Sequence, residues 1–157
     1  MTRWIAAAGV FVVSLDSMVN IAFPSMAAAF RVPPEQMRWV IICYVGTYAF
    51  MSFGGGALAD RVGHGRVFSV GLALSAVGFV LSGTAPTLGW LLGGRVVQGV
   101  AAGLVYGTAP GLVTLAAPPE QRGRALGFVS AGIGFAFTTG PLIAGLLVDA
   151  FGWRAVF

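Results

Sequence analysis

Two ionisable residues lie inside stretches of sequence that are otherwise apolar. Asp16 stands in the middle of VFVVSLDSMVNIAFP, and Arg95 stands within the apolar run that begins at Leu88. An ionisable side chain at the centre of a bilayer costs about 2.5–3.5 kcal/mol to insert, and such residues line a pathway or pair with one another. Asp16 is therefore either a neutral, hydrogen-bonding carboxyl or a group that binds and releases a proton beside a water-filled cavity. We favour the proton-binding role.

An amide side chain accompanies each ionisable residue. Asn20 follows Asp16 by four residues, which would place both on one face of an α-helix, and Gln98 follows Arg95 by three. We expect Asn20 and Gln98 to face the substrate pathway. Arg95 lies about two helical turns beyond Leu88, which is deep for a side chain that only snorkels to the membrane surface. A functional Arg95, acting on the charge of Asp16, is the favoured interpretation.

The composition predicts the elements that must hold these residues. The chain is 57% hydrophobic and only 9% charged, whereas soluble proteins carry about 25% charged residues, so lipid is the expected solvent. All nine basic residues are arginines and they are dispersed between apolar runs, which argues against nucleic-acid binding. One cysteine and one histidine cannot assemble a metal centre, and the sequence contains no catalytic or nucleotide-binding motif. We expect no metal, no cofactor and no enzymatic activity.

Five apolar runs are long enough to cross a bilayer, which takes about 20 residues. They are Trp4–Phe30, Trp39–Ala59, Val67–Ala85, Leu88–Ala117 and Ala125–Val148. A sixth run begins at Trp153. The predicted fold is an all-α integral membrane protein with five transmembrane helices, the start of a sixth, and short hairpins between them.

The arginines between the runs indicate an orientation. With a cytoplasmic N-terminus, five arginines, Arg3 among them, fall on the inner side and three on the outer side. Arginine-rich loops face the cytoplasm. We therefore expect a multi-pass protein of the plasma (inner) membrane whose N-terminus is cytoplasmic.

Small residues recur at intervals of four in the last two runs. The fourth run carries Arg95, Gly99, Gly103, Gly107 and Gly111, and the fifth carries Gly132, Ala136, Gly140 and Ala144. Such ridges let a neighbouring helix backbone approach closely. Pro141 lies beside the second ridge and is expected to bend its helix. The fifth run is therefore either a hinge or a close-packed seam.

Two stretches resemble motifs of the major facilitator superfamily. GALADRVGHGR resembles the loop between helices two and three of that family, with matches at Gly56, Asp60, Arg61, Gly63 and Arg66. RVVQG resembles the fourth-helix pattern, with matches at Arg95, Gln98 and Gly99. In the loop, Gly63 is expected to allow the turn, and Asp60 is a candidate cap for the N-terminus of another helix. His64 and Gly65 replace residues that are usually basic.

Two further stretches resemble antiporter motifs of the same superfamily. The fifth-helix antiporter pattern is matched by Gly127, Gly140, Pro141 and Gly145, with Ala136 and Ala144 in place of glycines. LDSMVNIAFP resembles the first-helix pattern of the fourteen-helix drug/proton antiporters, through Leu15, Asp16, Asn20, Ala22 and Pro24. GWRAVF resembles the usual start of the sixth helix.

The resemblance implies a proton-coupled antiporter that exports small, drug-like compounds. It would place Arg95 and the Pro141 helix in proton coupling, within a lipid bilayer, alongside the proton-binding role that we favour for Asp16. Members of the superfamily have twelve or fourteen helices in two halves, so we expect an N-terminal portion that pairs with a missing C-terminal half or a second chain. The alternative is a truncated or non-transporting subunit that only packs with other helices. An ion channel is disfavoured because channels need rings of like groups.

Overall fold

A computed structural model describes residues 2–157, with side chains from residue 4 onward. Met1 and the side chain of Arg3, counted above on the inner side, lie outside the described residues. The long helices are α1 (Thr2–Ser14), α2 (Phe23–Phe30), α3 (Arg38–Val62), α4 (His64–Gly83), α5 (Leu88–Leu115) and α6 (Arg122–Phe151). A 3-10 helix, Leu15–Ala22, joins α1 to α2, and short 3-10 turns lie at Pro34–Met37, Pro119–Gln121 and Trp153–Val156. Residues 2–157 contain no β-strand.

Five helical segments are long and apolar enough to cross a membrane. They are Trp4–Phe30, Pro34–Val62, His64–Gly83, Leu88–Leu115 and Pro119–Phe151. The first of these, called the first span below, consists of most of α1, the 3-10 helix and α2. The predicted all-α fold with five membrane helices is confirmed.

The connection between α3 and α4 is shorter than the sequence suggested. We expected Asp60–Arg66 to form a loop, but α3 continues to Val62 and α4 begins at His64, so Gly63 stands alone between them. Gly63 has a φ of 100°, which only glycine adopts without strain. Its N–H donates to the carbonyl of Ala59 at 2.8 Å. The prediction that Gly63 permits the turn is confirmed.

Helix α5 lies against α3 along its glycine ridge. A methyl group added at Gly99 would lie 2.6 Å from the carbonyl oxygen of Tyr44, and one added at Gly107 would lie 3.0 Å from that of Ser52. Both oxygens belong to the backbone of α3. The predicted close approach is therefore confirmed, and α3 is the helix that approaches.

Helix α4 packs on a different face of α5. Gly78 of α4 lies against Gln98, where an added methyl group would be 3.1 Å from the backbone nitrogen of that residue. Gly94 of α5 lies equally close to the backbone of Ser82. Glycines on both helices thus bring α3, α4 and α5 together with little side-chain volume between them.

Helix α6 packs along the first span. Ala136, Gly140 and Ala144 are buried. A methyl group added at Gly140 would lie 3.0 Å from Oγ of Ser17, and one at Gly132 would lie 3.1 Å from the carbonyl oxygen of Ala7. The small-residue ridge of α6 is thus a close-packed seam. Helix α6 continues through Pro141 to Phe151 as one helix.

Candidate functional site

Asp16 and Arg95 form an ion pair inside the bundle. Arg95 Nη2 donates to Asp16 Oδ2 at 2.7 Å, and Nη1 donates to Asp16 Oδ1. Only 2% of Arg95 and 7% of Asp16 are exposed. The two parallel hydrogen bonds make this a bidentate pair, the strongest arrangement between a guanidinium and a carboxylate. The pair joins the first span to α5 and leaves the site without net charge.

Three further contacts hold the guanidinium of Arg95 in place. Its Nε donates to the carbonyl oxygen of Val40 at 3.1 Å, and its Nη1 donates to Oε1 of Gln98 at 2.8 Å. The Cζ atom lies 4.3 Å from the centre of the Tyr44 ring, a cation–π distance. Val40 and Tyr44 both belong to α3. The alternative in which Arg95 only snorkels to the membrane surface is therefore wrong.

The backbone around Asp16 differs from the expected α-helix. Leu15–Ala22 is a 3-10 helix, with about three residues per turn. Four residues therefore overshoot one turn. Asp16 is buried whereas Asn20 is exposed, yet both line the cavity described below. Among the described side chains, Asn20 makes no hydrogen bond to Asp16.

Pro24 supplies the physical reason for part of this departure. An α-helix would use the N–H of residue 24 to satisfy the carbonyl of Asn20, but proline has no N–H. The N–H of Phe23 bonds that carbonyl instead, three residues on rather than four. Pro24 within an apolar run was the sequence signal for an irregular backbone near Asp16.

A cavity of about 160 Å³ opens beside the ion pair. Its polar wall comes from the first span through Ser14, Asp16, Ser17 and Asn20, and Tyr106 and Phe137 supply aromatic surface. The structure thus places Asp16, Arg95 and Asn20 at one cavity. Sequence reasoning missed Ser14, Ser17, Tyr44 and Tyr106, because hydroxyl groups occur widely in membrane helices and give no periodic signal.

Gln98 lies behind Arg95 rather than on the cavity wall. Its Oε1 accepts from Arg95 Nη1 and from the Ser82 hydroxyl, the latter at 3.3 Å. Its Nε2 is buried and has no hydrogen-bond partner. The structure therefore supports Gln98 as a residue that holds Arg95, and it does not place Gln98 among the residues lining this cavity.

The other motif residues lie away from the cavity. Asp60 is exposed at the end of α3, with Oδ1 3.6 Å from Nε2 of His64, and Arg61 and Arg66 are exposed nearby. The Asp60 carboxylate thus lies beside His64 in the adjacent turn, and its role as a cap for another helix stays a prediction.

The glycines of the antiporter motif divide into two groups. Gly140 lies in the seam with the first span, close to Ser17 and Met18. Methyl groups added at Gly127 or Gly145 would meet no atom within 4 Å. The motif therefore meets the first span at Gly140, which packs against the cavity-lining Ser17, whereas Gly127 and Gly145 have no neighbouring helix within this distance.

Fold and site together define a polytopic helical membrane protein with a buried ion pair beside a polar cavity. A model of the Major Facilitator Superfamily matches residues 5–157. The chain belongs to the Major Facilitator Superfamily. The resemblance drawn from the sequence motifs is thereby confirmed.

Relatives with assigned names are transporters and resistance proteins. The chain is 35% identical to the riboflavin transporter RibZ of Clostridioides difficile, over 95% of this chain and 33% of that protein. It is 35% identical to the multidrug resistance protein Stp of Mycobacterium tuberculosis, over 95% and 28%. It is 37% identical to the putative multidrug resistance protein MdtD of Yersinia enterocolitica, over 98% and 33%. The chain spans a third or less of the length of these relatives.

Proposed function

We propose that the chain is the N-terminal portion of a transporter that exports small, drug-like compounds in exchange for protons. The observation that carries this proposal is the buried, bidentate Asp16–Arg95 pair on the wall of a polar cavity. Insertion of two charged groups into a membrane is unfavourable, so a pair without a function would be readily replaced by apolar residues. The names of the relatives support this proposal in two ways: a riboflavin transporter supports transport of small molecules, and multidrug resistance proteins favour export.

The proposed coupling depends on what a proton does to the pair. When Asp16 takes up a proton, it loses its charge and most of its attraction for Arg95. Arg95 stays in place because Val40, Gln98 and Tyr44 still hold it. The first span is then released from α5. It yields at Leu15–Ala22, where the 3-10 hydrogen bonds have poorer geometry than those of an α-helix.

Asn20 and the aromatic wall place the exported compound next to the coupling carboxyl. Asp16 and Asn20 line the same cavity as Tyr106 and Phe137. A compound in this cavity therefore lies beside the group that binds the proton, which links its release to the charge of Asp16. The remaining wall is supplied by a C-terminal half or a second chain, because superfamily members bind substrate between two halves.

A non-transporting packing subunit is the alternative that the same contacts allow. The Arg95 guanidinium is contacted on several sides and its pair is nearly inaccessible to solvent, which also suits a permanent clamp between the first span and α5. The two functions differ in whether Asp16 must change its charge. A substitution that keeps the shape of Asp16 but removes titration separates them.

The decisive experiment is Asp16→Asn in a complete transporter reconstituted in proteoliposomes with an imposed pH gradient. We expect the variant to insert and fold but to lose gradient-driven uptake of a neutral fluorescent drug, while Asp16→Glu retains part of the activity. The matched control is Asp149→Asn, the same substitution at an exposed position near the end of α6. Wild-type rates for Asp16→Asn would show that the carboxyl is a static hydrogen-bonding group.

The need for a second half has its own test. The 157-residue chain alone, in the same proteoliposomes, is expected to give no saturable movement of that drug. Movement by the chain alone would contradict the pairing proposal, except where cross-linking shows that two copies had formed the transporter.

We also propose a cytoplasmic N-terminus in the plasma (inner) membrane. Gly65, near the start of α4, and Thr84, just beyond its end, are both exposed. In a Cys43→Ala background, an impermeant maleimide added to intact cells should label Thr84→Cys and should label Gly65→Cys only after permeabilisation. Labelling of Gly65→Cys in intact cells would reverse the orientation.

A further inference from the structure

We infer that Tyr106 selects exported compounds that carry an N–H or O–H donor on a neutral aromatic ring. The inference rests on the proposed function, because it takes the cavity beside Asp16 as the binding site. It concerns a residue outside the motifs described above. It rests on the hydrogen bonds of the Ser14 and Tyr106 hydroxyl groups, each of which has one proton to donate.

The Ser14 hydroxyl has a single proton, and the structure shows where it goes. Ser14 Oγ lies 2.7 Å from the carbonyl oxygen of Val10, and a carbonyl oxygen can only accept. Ser14 Oγ also lies 2.6 Å from the hydroxyl oxygen of Tyr106. Since the Ser14 proton is used on Val10, the proton in this second bond must come from Tyr106.

Tyr106 therefore has no proton left for a ligand. Its hydroxyl carries one proton and two lone pairs, so the oxygen can only accept further hydrogen bonds. The Tyr106 ring packs against the Tyr48 ring, at a centroid distance of 5.4 Å in an edge-to-face arrangement. Ser14 and Tyr106 both line the cavity. A compound that binds there must bring the donor.

The other groups on the cavity wall define the rest of the ligand. Both oxygens of Asp16 accept from Arg95, so the pair presents no net charge to the cavity and favours a neutral compound. The cavity volume of about 160 Å³ is close to that of a cavity that holds benzene, so the part of the site formed by this chain accommodates one small aromatic ring system.

Equilibrium dialysis of the full chain in lipid nanodiscs tests the inference with three probes. Indole has an N–H donor, N-methylindole lacks it, and quinoline has only an acceptor nitrogen. Empty nanodiscs correct for partition into lipid. We expect indole to bind about fivefold more tightly than N-methylindole, the ratio given by one hydrogen bond. Equal affinities for the two, or no saturable indole binding, would overturn the inference.

Two variants separate hydrogen bonding from shape. Tyr106→Phe keeps the ring and should remove the preference for indole, whereas a preference caused by the bulk of the added methyl group would persist. Tyr48→Phe is the matched control, since Tyr48 contacts the same ring but is not part of the cavity wall. It should retain the preference. Loss of the preference in Tyr48→Phe would assign the effect to ring packing and overturn the inference.

Ser14→Ala provides a measurement that would not change if Tyr106 had only a structural role. Removal of the Ser14 oxygen frees the Tyr106 proton, so Tyr106 can donate as well as accept. Quinoline affinity should then rise about fivefold over wild type, and an unchanged quinoline affinity would count against the assigned proton direction. These measurements use no proton gradient. If these binding measurements contradict the inference, the Asp16→Asn transport result is unaffected. If the transport result contradicts the proposed function, the binding measurements are likewise unaffected.

Discussion

The two sides of α5 are held by different kinds of contact. Towards α3 and α4, the contacts are glycine against backbone, as at Gly99 against Tyr44 and Gly78 against Gln98. Towards the first span, the main polar contact is the Asp16–Arg95 pair, next to a cavity. Backbone packing is unaffected by protons, whereas an ion pair depends on the charge of both partners. The difference separates a fixed frame of α3, α4 and α5 from a first span whose attachment can change.

The same division is seen in the regularity of the backbone. Helices α3, α4 and α5 run without a 3-10 segment inside them, even though α5 contains Pro110. The first span changes to a 3-10 helix at Leu15, one residue before Asp16. The proton-sensitive attachment and the irregular backbone of the first span thus coincide at the residue that we propose binds the proton.

The largest expected effect comes from removing Arg95. Arg95→Ala leaves Asp16 buried and uncompensated, which should lower the free energy of unfolding by about 3–5 kcal/mol. The double variant Asp16→Leu with Arg95→Met replaces both charges by apolar side chains and should recover most of that loss. Denaturant titration of the purified protein in detergent measures both. Equal losses in the two variants would show that the contacts of Arg95 to α3 matter more than its pair with Asp16.

A smaller effect tests the frame. A methyl group at Gly103 would lie 2.9 Å from a backbone carbon of Met51 and closer still to Met51 Cβ. Backbone atoms cannot rotate away, so Gly103→Ala should lower the free energy of unfolding by about 3 kcal/mol, at the upper end for overpacking. Gly93→Ala, in the same helix but with nothing within 4 Å, is the matched control and should be neutral or slightly stabilising. Similar values for both would mean that α3 can move away at little energetic expense.

The frame was largely predictable from the sequence because it is built from a periodic signal. Glycines at intervals of four predict a flat ridge, whichever helix packs against it. In the structure, Gly99, Gly103 and Gly107 all lie against α3. The identity of that neighbour was not predictable, since periodicity in one helix says nothing of which helix faces it.

The site was predictable only in part, and the misses share a cause. Asp16 and Arg95 stand out because charge is rare in lipid, but their mutual geometry depends on helices 79 residues apart in sequence. Asn20 was related to Asp16 by an α-helical period, whereas the segment that holds both residues is a 3-10 helix. Tyr106 and Ser14 carry no signal by residue type, and their importance comes from a hydrogen bond between distant helices.

The smallest expected effect separates two roles of glycine within the frame. Gly63 joins α3 to α4 with a φ of 100°, and a methyl group there would meet no atom within 4 Å. Glycine is required at position 63 for its backbone conformation, whereas at Gly103 it is required because a side chain would not fit. Gly63→Ala should lower the free energy of unfolding by about 2 kcal/mol through backbone strain alone. Gly65→Ala is the control, because Gly65 has equally open surroundings and no positive φ. Denaturant titration should show a loss for Gly63→Ala and none for Gly65→Ala. If Gly63→Ala were as stable as wild type, the α3–α4 turn would adapt to an ordinary residue, and the rigidity of the frame would come from close helix packing alone.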